Sequence, residues 1–103
     1  MAFFSTRVQL HEPIQQNDYD VLHEAMRQAG FSRRVTHQGK TYELPQAEYC
    51  VNSDGTVEDV KRAAMVAAAK ANKRFSLWII HAAGGGVALH GLKEVPTAIS
   101  AAR

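Results

Sequence analysis

With 103 residues, 46% of them apolar and 21% charged, the chain has the composition of one globular domain. A formal charge of +2 and a pI near 8.9 admit a polyanionic partner without requiring one, because dedicated nucleic-acid binders concentrate far more positive charge. The single cysteine, Cys50, excludes an internal disulfide and fits a reduced, cytoplasmic setting.

The start, M-A-F-F-S-T-R, lacks the apolar core of a signal peptide and opens a strand instead. From Phe3 to His11 the side chains alternate, with Phe4, Thr6, Val8 and Leu10 on one face and Ser5, Arg7, Gln9 and His11 on the other. Pro13 has no amide hydrogen to give a ladder and ends the strand. Tyr19, Leu22, Ala25, Met26 and Ala29 then recur at helical spacing. Asn17 or Asp18 can cap that helix, and Gly30 can take the left-handed conformation that stops it. Phe31 opens a second strand, with Arg33, Val35 and His37 on one side and Ser32, Arg34 and Thr36 on the other.

His37-Gln38-Gly39-Lys40 reads as a hairpin turn. The return leg, T-Y-E-L and then A-E-Y-C-V, is interrupted at Pro45, which predicts a sheet edge or a bulge. Asn52-Ser53-Asp54-Gly55 is a turn cluster, after which Thr56 and Asp59 form a capping box for a second helix. Val57, Val60, Ala64, Ala67, Ala68 and Ala71 make its predicted buried stripe, small enough to lie close on a sheet. Lys70 interrupts the apolar run of that helix and Lys61, Arg62 and Lys73 flank it, so it is too short and too charged to span a bilayer. Asn72 is the predicted stop.

Arg74 to His81, R-F-S-L-W-I-I-H, is the most apolar strand and reads as an interior one. Ala83-Gly84-Gly85-Gly86 then turns the chain into a shorter strand, V-A-L-H-G-L; with no following Lys-Ser/Thr, the glycines are no phosphate loop. The expected organisation is a single domain over 1–103, with an ordered core from about 3 to 93 and a loose or partner-bound tail from 94 to 103. The expected fold class is α+β: a ferredoxin-like βαββαβ order plus an extra C-terminal strand, two helices covering one face of an antiparallel sheet.

Five histidines invite metal or acid–base chemistry, but none forms a ligand pair at zinc-site spacing, and no cofactor motif is present. His11, beside Glu12 at the end of the first strand, is placed to shuttle a proton; a wet strand end needs only a polar residue. His23 and Arg27 lie four apart on the flank of the helical stripe. Arg33 and Arg34 point to opposite faces of their strand, where either can grip phosphate or pair with Glu43 or Glu48 across the hairpin. Trp78 and Ile80 fall on the opposite strand face from Leu77 and Ile79, so a sheet covered on one side leaves large apolar groups bare. That face is a candidate subunit interface or, less economically, a base-stacking platform.

Taken together, V-Q-L-H, D-Y-D-V-L-H-E-A-M-R-Q-A-G-F-S-R, Y-E-L-P-Q-A-E-Y, the alanine-rich helix and H-G-L-K resemble the GhoS-like group of small proteins, from about Arg7 to Lys93. The group's best-known member is the antitoxin of a type V toxin–antitoxin system, a ferredoxin-like, Cas2-like endoribonuclease acting on its toxin's messenger RNA. The resemblance implies a cytoplasmic protein with RNA as partner, no membrane and no small-molecule cofactor. On the helix and its G-F-S exit, His23 stands where the antitoxin has an arginine, and His11 where Cas2-like proteins place an aspartate. The resulting expectation is His11 and His23 as catalytic residues, Arg27, Arg33 and Arg34 as RNA-binding residues, and Trp78 and Ile80 as an interface. The alternative is a homodimeric ferredoxin-like binding module without catalysis.

Overall fold

The computed structural model describes residues 2–82 and 88–95. Its first sheet is built on β1 (Ala2–Leu10), flanked on one side by β4 (Glu48–Ser53) and on the other by β5 (Phe75–His81), all antiparallel. In register, Thr6 lies between Tyr49 and Ile79, and Arg7 between Glu48 and Trp78. The predicted alternation of β1 holds: Phe4, Thr6, Val8 and Leu10 are buried. Two helices cover that face, α1 (Asp18–Gln28) and α2 (Val57–Ala68), the latter running into a 3-10 turn at Ala69–Ala71.

Leu22 and Met26 of α1 and Val60, Ala64, Ala67 and Ala68 of α2 share one core with the inward face of β1 and with Tyr49. Each fully buried Leu or Met contributes roughly 1.5–3 kcal/mol through the water it sheds. The capping box forms as predicted: the Asp59 amide donates to Thr56 Oγ1 at 3.2 Å and the Thr56 amide to Asp59 Oδ2 at 2.9 Å. Val57 departs from its predicted place in the stripe: it stands exposed in the first turn of α2, and the buried stripe begins at Val60. Asn17 caps α1 by position only, while Asp18 Oδ2 accepts from the Gln15 amide. Gly30, at φ +97°, turns the chain out of α1.

The second sheet is also three-stranded and antiparallel: β2 (Arg34–His37), β3 (Lys40–Glu43) and β6 (Glu94–Val95), with β3 in the middle. Gln38 and Gly39, at φ 50° and 80°, make the tight turn between β2 and β3, a hairpin geometry that requires positive φ at both positions. The two sheets meet at an isolated bridge, where the Ser32 and Cys50 amides each donate to the other's carbonyl at 2.8 Å.

Four expectations are corrected. A single sheet becomes two, because the chain bends at Arg33 before β2 begins, and because Pro45 takes the return leg out of its ladder; its carbonyl accepts from the Glu48 amide in a turn at 2.8 Å. The leg expected at a sheet edge is thereby split, giving the central strand of the second sheet and a flanking strand of the first. The strand read as interior, β5, stands at the end of its sheet among the described residues. The C-terminal strand forms at Glu94–Val95, where Thr41 pairs with Val95, and residues 88–92 have no strand geometry. Glu94 and Val95 thus belong to the fold; the glycine turn at 83–86 and the tail beyond 95 lie outside the described residues. No helix among the described residues is long and apolar enough to cross a membrane.

Candidate functional site

A cleft of about 530 Å³ opens between the exposed flank of α1 and the segment leading into β2. His23, Arg27, Arg33 and Arg34 all line it, with Asp20, Glu24 and Ser32 on its walls. The helical spacing of His23 and Arg27 sets one wall, and the bend at Arg33 sets the other, since it lets consecutive arginines face the same space. His11 does not line this cleft. It ends β1, with its amide donating to the Arg74 carbonyl at 2.8 Å and its Nε2 bonded to Ser76 Oγ at 2.8 Å. Trp78 and Ile80 lie on the open face of the first sheet, 66% and 51% exposed. The expected residues therefore divide between three places.

Behind the cleft lining, His23 Nδ1 shares a 2.6 Å hydrogen bond with the hydroxyl of fully buried Tyr49, which is not itself part of that lining. The imidazole meets the tyrosine ring edge-on, centroids 5.6 Å apart, and the Arg33 guanidinium lies over that ring at 5.8 Å. Burial holds the His23 pKa below its usual 6.5, the Arg33 cation pushes it further down, and Asp20 opposes both. Burial also raises the Tyr49 phenol, which stays protonated. His23 is therefore a neutral imidazole at pH 7, and its Nε2 has no partner among the described residues.

The three arginines differ in what holds them. Arg33 Nη1 donates to the Pro45 and Glu48 carbonyls at 2.5 and 3.1 Å, so it splints the turn into β4 as well as lining the cleft. The pairing expected with Glu43 or Glu48 is made to the backbone of Glu48; that residue's carboxylate goes to Arg7, whose Nη1 donates at 2.6 Å. Arg27 is forked onto Glu24 at 2.7 and 3.0 Å, and those bonds, with one from Gln28, hold the Glu24 carboxyl down at about 2. Arg34 is exposed, and its guanidinium has no partner among the described residues. Among the described residues, one guanidinium has no partner, one is shared with a carboxylate, and one is fixed on backbone carbonyls.

Tyr49 is the residue that sequence reasoning missed. Strand alternation places it on the helix-facing side with Val51, and a buried tyrosine hydroxyl must find a partner, so the polar flank of α1 was the place to look. A second groove, about 340 Å³ and more apolar, lies across β4, with Leu44, Cys50 and Leu89 in its lining and none of the expected site residues. No known protein family, curated protein or solved structure matches this chain.

Proposed function

We propose that this protein binds single-stranded RNA in the cleft between α1 and β2, on a ferredoxin-like scaffold of the GhoS-like kind, and cleaves it there. The observation that carries this reading is the convergence of Arg27, Arg33 and Arg34 on a half-buried neutral imidazole, with Arg34 unpaired among the described residues. Phosphate is the ligand such a set fits: a planar guanidinium can fork onto two phosphate oxygens, and the low positive excess suits a short binding site better than a long track. The strand order β4-β1-β5, extended beyond β4 by the Ser32–Cys50 bridge and covered on one face by two helices, is what favours the ferredoxin-like description.

In the reaction, His23 Nε2 takes the proton of a ribose 2′-hydroxyl as its oxygen attacks the adjacent phosphorus. The P–O5′ bond breaks and the departing oxygen takes a proton from water, the hydroxide so formed being neutralised by the proton that His23 gives up, which leaves a 2′,3′-cyclic phosphate, a 5′-hydroxyl and the neutral imidazole. Arg34 and Arg27 hold the nonbridging oxygens as charge builds. In this step the imidazole carries its hydrogen on Nδ1 and donates it to the Tyr49 hydroxyl oxygen, which holds the ring in place and leaves the Nε2 lone pair to accept the proton. His11, bonded to Ser76 outside the cleft, has no part in this step. Incubation with a labelled single-stranded RNA tests it. Cleavage persists with a chelator and in His11→Ala, whereas His23→Ala binds without cutting; absence of both binding and cutting in the parent protein defeats the reading.

The second reading, a homodimeric binding module without catalysis, is favoured by Trp78 and Ile80 exposed together on the open sheet face. It predicts RNA-independent association and no cleavage.

A further inference from the structure

We infer that the outer edge of β5 is a docking edge for a second copy of this chain, the two strands pairing antiparallel about a two-fold axis at Trp78. The inference rests on the homodimer of the second reading and deepens it by naming the strand edge and the register; RNA binding and cleavage are read separately, since the edge pairs equally well in a nuclease. The first observation is a mismatch of sequence and place. F-S-L-W-I-I-H has the composition of a strand flanked on both sides, yet β5 has β1 on one side and no strand on the other among the described residues.

Edge strands are normally blunted by proline, lysine or a bulge. β5 has none of these: its ladder with β1 runs unbroken from Phe75 opposite Leu10 to His81 opposite Phe4. At about 3.3 Å per residue it offers roughly 23 Å of straight edge.

The backbone also says which groups have no partner among the described residues. The Ala82 amide donates to the Phe3 carbonyl, and the His11 amide to the Arg74 carbonyl. Bonded and non-bonded pairs alternate along an antiparallel ladder, so Ser76, Trp78 and Ile80 aim their backbone groups at β1. Phe75, Leu77, Ile79 and His81 aim theirs outward. A two-fold at Trp78 sets Leu77 against Ile79 of the second copy and Phe75 against its His81, and each outward amide and carbonyl then meets a partner.

The side chains fit the same register. On the covered face, Leu77 and Ile79 extend the apolar layer across the junction. On the open face, the two Trp78 rings become direct neighbours and Ile80 falls beside Ser76 of the second copy. A two-fold axis opposes every charge on it to itself, and β5 carries no formal charge to repel; the nearby Arg7 is already paired with Glu48. With Trp78 66% exposed, closing both indoles removes roughly 270 Å² from water, and two backbone edges with their flanking side chains bring the total up towards the ~1,000 Å² of a specific interface. That is the threshold of a specific interface, so the dimer dissociates on dilution.

Cysteine substitution reads the register directly. A non-bonded antiparallel pair brings its Cα atoms to about 4.5 Å, within disulfide reach. Trp78→Cys is expected to cross-link to itself under mild oxidation, and Ser76→Cys to cross-link when mixed with Ile80→Cys but not alone. Sedimentation of the unmodified full chain is expected to show twice the monomer mass at high concentration. Trp78→Glu should weaken association about tenfold or more without changing the melting temperature, as two carboxylates meet on the axis. A parent chain that stays monomeric throughout, or a Ser76→Cys variant that cross-links to itself as readily as Trp78→Cys, overturns the inference.

Discussion

His11 and His23 each give one ring nitrogen to a hydroxyl, at 2.8 Å to Ser76 and 2.6 Å to Tyr49. The hydroxyl therefore does not distinguish them. Both residues are partly buried, but the His11 bond faces solvent at a strand end, whereas the His23 bond is half-buried, at the edge of a tyrosine ring shared with the Arg33 guanidinium. Burial and a neighbouring cation both disfavour imidazolium, which leaves His23 neutral beside groups suited to phosphate. The general lesson is that two histidines with the same kind of partner are told apart by what surrounds them.

The strongest perturbation of the His23 setting is loss of Arg33. Arg33→Ala removes the bonds to the Pro45 and Glu48 carbonyls and is expected to cost about 1.5–3 kcal/mol in denaturant unfolding. The same variant should let the His23 titration, followed by NMR, rise toward 6.5. An unchanged titration would show that burial alone sets it. Arg33→Lys should recover little stability, because a point charge on a flexible stem does not reproduce the planar fork.

Tyr49→Phe keeps the buried ring and removes only the hydroxyl. The expected loss is about 1 kcal/mol, with His23 Nδ1 left to find water. A neutral outcome would mean that the ring, not its oxygen, fixes the imidazole.

The pH dependence is smaller and has a definite sign. Because the folded-state pKa of His23 lies below 6.5, the unfolded chain binds the proton more readily. The His23 contribution to stability is therefore complete above pH 6.5 and is lost as pH falls from there through the lower folded-state value. His23→Gln should flatten that part of the stability profile. The smallest effect is expected at the other histidine: His11→Ala should alter stability by no more than about 0.5 kcal/mol, as the loss of a solvent-facing bond does.

Much of the scaffold could be read from local pattern. The alternation of Phe4, Thr6, Val8 and Leu10, the stripe through Leu22 and Met26, and the Thr56–Asp59 box all follow from periods and short-range bonds. What escaped was set by distant partners. The bend at Arg33 depends on carbonyls supplied by Pro45 and Glu48, and β6 depends on pairing with Thr41 and Tyr42, far away in sequence. The site was legible by half: helical spacing joined His23 to Arg27, but only the fold could bring Tyr49 against His23 and carry His11 away.

The cleft as a phosphate site is tested most directly by the salt dependence of single-stranded RNA affinity in the parent protein and in Arg34→Ala. Every phosphate that a cation neutralises adds about 0.7 to the steepness of the log–log slope on a single strand. Arg34→Ala should therefore bind more weakly, with a slope shallower by about that amount. Equal slopes and equal affinities in the two proteins would contradict the assignment of this cleft.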